Sequence, residues 1–237
     1  MGVFPLETAM SIHTIQFGDD GQGATRDLSR LVESLAPLHL AAFRTVREHV
    51  ATLESLDRQY GGHGKLPLED VETVVSALHT QLAHWEAEAG RRKLAAHDAI
   101  DAATIGVALW AMRHEIEITV VEPVVNALAH RSNQAKNKQE AAAAFALMQG
   151  LIVHVAPRLS ADLERSNPER PWRMLHANLA ITAIRTEDPA MIGFAFDALD
   201  VALPDERATF YAEARALALA PGISPVVRGL IEARLPL

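Results

Sequence analysis

The stretch Ile105-Gly-Val-Ala-Leu-Trp-Ala-Met112 runs through more than two helical turns without a polar side chain. A helix apolar on every side has no solvent face, so this segment belongs at the centre of a packed bundle. It lies inside a longer hydrophobic run, Leu94 to about Val121, read as one helix. Ile116–Val121 is rich in β-branched residues but is kept in that helix, with a break near Pro123 and a continuation to about His130.

The flanking segments supply walls for such a centre. Upstream, Val71, Val74, Val75, Leu78, Leu82 and Trp85 fall on one helical face. Pro67 opens that helix, and Gly90 with Arg91-Arg92-Lys93 closes it. Before it, Thr25 reads as an N-cap with Asp27 behind it. Leu28, Leu31, Val32 and Leu35 follow at helical spacing, Pro37 kinks or restarts the chain, and Phe43, Val46, Val50 and Leu53 resume the stripe. Tyr60-Gly-Gly-His-Gly64 breaks it. Residues 1–24 show no helical period and read as a flexible segment.

Downstream, Ser132–Gln139 is a polar connection, followed by a helix from about Glu140 to Val155, extending past Pro157 to Glu164. Asn167-Pro-Glu-Arg-Pro171 reads as the main boundary. Helix starts follow at Pro171, Asp188-Pro189, Pro204 and Ser224-Pro225, each with proline in the first turn. The 33-residue step from Pro171 to Pro204 has the period of tetratricopeptide-type hairpin repeats. Trp172 and Leu175 suit that pattern, but the Gly and Tyr it needs next are missing, and no family is matched. The expectation is an all-α protein with a long-helix bundle over 25–165. A helical-hairpin region, repeat-like in spacing, follows over 168–237, and the two regions are free to pack as one unit.

Composition agrees. Aromatic residues make up 5% of the 237 and alanine is abundant, a balance that suits close helix packing and not sandwiches or barrels. The net charge of −8 disfavours a nucleic-acid binder driven by phosphate contacts. With no cysteine, disulfides, thiolate metal sites and cysteine nucleophiles are excluded. The most apolar run, Ala141–Ala156, is broken by Gln149, Gly150 and His154, so no membrane span is expected. The amino terminus lacks a secretory pattern, which makes a cytoplasmic setting the expectation.

Chemistry is harder to find. Eleven histidines are present, and His84 with Glu88, His97 with Asp101, and His114 with Glu117 have face-sharing helical spacing. Chance placement yields roughly five or six such pairs, so three are no excess. The Glu-x-x-His pair of di-iron bundles is missing. Tyr60–Lys65 resembles a phosphate loop but has Leu66 where a hydroxyl residue is required. GxSxG, SxxK and HExxH are absent. Basic spots at Arg91–Lys93 and at Arg131, Lys136 and Lys138 sit at helix ends, where cations complement the dipole. No catalytic residue, metal ligand or cofactor is therefore assigned.

The leading expectation is a non-enzymatic interaction or assembly protein that works through helix faces, with another protein or a second copy of itself as partner. The alternative is a helical-bundle enzyme or ligand or metal binder. Its polar site would draw on His97, Asp101, Trp110, His114 and Glu117. A helical nucleic-acid-associated regulator ranks third.

Overall fold

A computed structural model of the chain describes residues 22–61, 66, 70–160, 170–219 and 224–235. The expectations for residues 1–21, the glycine loop after Gly61, the Pro67 helix start, residues 161–164 of the extension to Glu164, and most of Asn167–Pro171 lie outside them; the helix does run through Pro157, to Leu159. Among the described residues all regular structure is helical and no strand occurs. The chain divides into two compact units, Met1–Asn133 and Gln134–Leu237.

The first unit contains α1 (Gln22–Ser34), a short 3-10 turn (Ala36–Leu38), α2 (Phe43–Tyr60), α3 (Val71–Arg92), α4 (His97–Arg113) and α5 (Glu122–Asn133). α4 is the helix of the apolar stretch. Every residue from Ala103 to Ala111 is buried, with α1, α3 and α5 packed around it. Ala103, Gly106, Ala108 and Ala111 keep the surface of α4 shallow, so its neighbours approach closely while Ile105, Val107, Leu109 and Trp110 fill the space between them.

The links between these helices depart from the sequence reading in three places. α1 begins at Gln22, which puts Thr25 inside the helix and not at its cap. Pro37 ends the first helical segment. The chain makes a 3-10 turn, passes through left-handed His39 and Ala42, and starts again at Phe43. α3 holds this link in place: the Trp85 indole donates to the Ala41 carbonyl at 2.7 Å and stacks on Phe43.

The third departure concerns Ile116–Val121, which is not helical. α4 stops at Arg113 because Glu115 enters the left-handed region (φ 56°) and the Ile116 amide turns back to the Ala111 carbonyl at 2.9 Å. Such a turn satisfies the last carbonyls of a helix and redirects the chain. The β-branched residues that follow lose little by leaving the helix. Pro123 then sits in the first turn of α5, where its missing N–H costs nothing.

The second unit contains α6 (Lys138–Leu159), α7 (Pro171–Thr186), α8 (Pro189–Ala202), α9 (Arg207–Ala218) and α10 (Pro225–Glu232). α6 packs along α7, and α7 along α8. Packing therefore divides the chain at Asn133/Gln134, not near residue 167, because α6 belongs with the helices after it. The start of α6 shows why a polar connection precedes it. Asn137 accepts from the Glu140 amide at 2.9 Å, and Glu140 accepts from the Lys136 amide in return.

Three proline-led starts stand as read: Pro171, Pro189 behind Asp188, and Pro225 behind Ser224 are first-turn residues. Pro204 instead lies in the turn before α9. The aromatic residues form core: Phe145 of α6 meets Phe194 edge-on, and Phe196 meets Phe210 and Tyr211. Arg234 bonds Asp200 at 2.8 Å and Asp197 at 2.6 Å, tying the residues after α10 to α8. By length and composition alone α6 is long and apolar enough to cross a membrane.

Asp188 accepts from the Ala190 and Met191 amides at 2.8 and 3.0 Å. Asp188→Ala is expected to cost about 1 kcal/mol in urea unfolding. Phe145→Ala, at a fully buried position, is expected to cost about 3–5 kcal/mol.

Candidate functional site

Because α4 is enclosed along its middle, its ionisable side chains lie toward its ends, and each end meets carboxylates and histidines. At the C-terminal end, Trp110, Arg113 and His114 occupy one face at i, i+3 and i+4. They converge on Asp57, near the end of α2. One Asp57 oxygen accepts from the Trp110 indole N–H at 2.8 Å and pairs with His114 Nε2 at 2.9 Å. The Arg113 guanidinium lies 3.7 Å from the other oxygen. The Trp110 and His114 rings are 4.5 Å apart.

This cluster is sealed. Asp57, Trp110 and His114 are each no more than 1% exposed. Burial pushes the Arg113 guanidinium down from its ordinary value, and the Asp57 charge opposes that shift. An Asp–His pair can orient a general base, but here the imidazole Nε2 is occupied by the carboxylate, and Asp57, Trp110 and His114 are buried. The arrangement therefore acts as a polar tie between α2 and α4. Glu117 is exposed on the segment after α4. The helix ends before it, so the spacing that would pair it with His114 is lost.

The N-terminal end is different. His97 and Asp101 share a face of α4, one turn apart, but each takes its partner from another helix. His97 Nδ1 bonds Glu86 of α3. His130 of α5 lies with its Nδ1 3.2 Å from Asp101. Asp101 is buried while His97 and His130 are about half exposed, so this cluster opens to solvent. The Asp101 carboxyl is pushed up to about 6. Burial is the main cause and the Glu86 and Asp98 charges add to it, against the opposing pull of His130.

Of the five side chains named from sequence, Trp110 and His114 lie at one end of α4, His97 and Asp101 at the other, and Glu117 on the segment beyond it. Nine residues separate Asp101 from Trp110, about 13 Å of helix. Sequence reasoning missed Asp57, Glu86 and His130. For Asp57 a signal existed: it continues the buried phase Val46, Val50, Leu53, where an acidic residue is out of place unless it is paired. Among the described residues no group of three or more His, Asp or Glu is arranged to hold a metal ion. No protein-family model, curated protein or solved structure matches the chain.

Two further histidines are deeply buried, His79 in α3 and His176 in α7. The ring nitrogens of His176 have no hydrogen-bond partner among the described residues, and His79 has the Thr104 backbone beside it. Burial pushes both down to about 4, with Arg170 adding to the effect at His176. They are neutral in the folded protein at neutral pH.

Two predictions follow from these groups. Asp57→Ala removes the carboxylate on which an indole N–H, an imidazole and a guanidinium converge, and is expected to cost about 3–5 kcal/mol in urea unfolding. The second concerns pH. The folded-state value of His79 lies below the unfolded one, so its contribution is complete above about pH 6.5 and is lost as the pH falls toward 4. Between about pH 7 and 4.5 the wild type is expected to lose about 2–3 kcal/mol more stability than His79→Leu, read from paired urea curves.

Proposed function

We propose that the chain is a non-enzymatic interaction or assembly protein that acts through helix faces and associates with itself. The observation that carries this reading is the exposure of large aliphatic side chains on α6 and α7. Val153 of α6 is 62% exposed and Ile181 of α7 is 41% exposed. Ala177 and Ile184, spaced three to four residues from Ile181, are part-exposed on the same helix. Elsewhere in this unit Val201 is 84% exposed and Leu219 is 68% exposed. Ala177, Ile181 and Ile184 make one part-exposed stripe on α7, and an apolar stripe suits a surface that meets another protein.

The sealed state of the Asp57 cluster supports the same reading, because a polar core closed on itself serves stability and not turnover. The acidic charge balance argues against nucleic acid as the partner, and the lack of cysteine suits a cytoplasmic setting. A second reading, a helical-bundle enzyme or small-ligand binder, draws on the solvent-open cluster of Glu86, His97, Asp101 and His130. It moves the polar site from Trp110 and His114 to the opposite end of α4.

Light scattering coupled to size exclusion decides between them. The assembly reading expects a concentration-dependent rise in mass, and at least a tenfold weakening by Val153→Asp with Ile181→Asp. A monomer throughout a series up to about 1 mM contradicts it.

A further inference from the structure

The four side chains at the N-terminal end of α4 come from three helices: Glu86 from α3, His97 and Asp101 from α4, and His130 from α5. Each carboxylate meets one imidazole, and the carboxylates are close enough for the Glu86 charge to act on Asp101. One oxygen of Glu86 is buried with no hydrogen-bond partner among the described residues. When both carboxylates are charged, the cluster sets two negative charges together, that of Asp101 largely withdrawn from water, and Asp98 adds a third nearby. That state is costly, and protons relieve it. We infer that this cluster is a proton-operated clasp, which fastens α5 onto α3 and α4 in mildly acidic solution and loosens it toward neutral pH.

The surroundings leave the proton as the relief. α1 also packs on α4 and carries Asp27, Arg30 and Glu33. Asp27 pairs with Arg30 at 3.3 Å, and Glu33 lies 3.9 Å from Arg47. On α3, Glu88 is taken by Arg92 at 2.7 Å, and buried His79 is neutral. His130 lies in the last turn of α5, beside Arg131, with its Nδ1 3.2 Å from Asp101. An added proton is therefore shared within the Asp101–His130 pair. The sign follows from the raised Asp101 carboxyl. The folded state holds the extra proton over the window from its ordinary value of 3.8 up to about 6. The stabilisation is present at the acid end, is lost as the pH rises through that window, and stays absent above it. The inference concerns the first unit alone and does not depend on the assembly reading.

The test is amide hydrogen exchange by NMR on the full chain, with protection corrected for intrinsic rates, at about pH 5 and pH 7.5. In the wild type, protection across Glu122–Asn133 is expected to fall about tenfold from the lower to the higher pH, while protection across α2 does not fall, since neutral His79 stabilises the unit as the pH rises. Asp101→Asn removes the buried charge and is expected to keep α5 protected at both. A wild-type α5 indifferent to pH, or an equal fall in Asp101→Asn, overturns the clasp. Should that variant fail to fold, wild-type side-chain titration decides. Asp101 and His130 moving with common midpoints supports a shared proton, and two independent midpoints overturn it.

Discussion

A helix that is apolar on all sides has to be walled in, and the first unit is organised around that constraint. From Ala103 to Ala111 α4 offers no face to water, so α1, α3 and α5 pack around it. Each large side chain buried in this way contributes about 1.5–3 kcal/mol. The enclosure also dictates the placement of polar groups. They can occur only where α4 emerges, and there they must be paired, because an unpaired buried charge costs several kcal/mol. Asp57 answers this demand at one end, and Glu86 and His130 at the other.

The two ends solve the problem differently, and the difference separates structure from responsiveness. At the Asp57 end a buried carboxylate meets an indole, an imidazole and a guanidinium, so its charge faces donors and a cation from α4. At the Asp101 end two carboxylates share a junction with two imidazoles that reach solvent, so the balance depends on protons. The first arrangement fixes the register of α2 against α4. The second leaves one contact of α5 open to its surroundings.

Much of this was legible in the residues. Ile105–Met112 announced a central helix because no face of it is polar, and Asp188-Pro189 and Ser224-Pro225 announced helix starts because cap and first-turn chemistry are local. Ile116–Val121 was misread as helix: its pattern suits helix or extended chain, and the left-handed turn at Glu115 that decides between them leaves no mark at a non-glycine residue. The boundary near residue 167 was read from prolines, whereas the unit boundary follows from α6 packing on α7, a long-range fact. The polar partners were hidden for the same reason. Spacing along one helix cannot show that His97 faces Glu86 of another, and only Asp57, out of place in a buried stripe, gave local notice.

Native-state amide exchange at Ile105–Ala111 tests the enclosure most directly. If α4 is walled in as described, these amides exchange only when the first unit unfolds as a whole. Their exchange free energies then equal the stability of that unit and fall with denaturant at its full slope. Exchange at a lower free energy than the amides of Val75–Trp85, with little dependence on denaturant, would mean that α4 opens by local fluctuation and is not the centre of the fold.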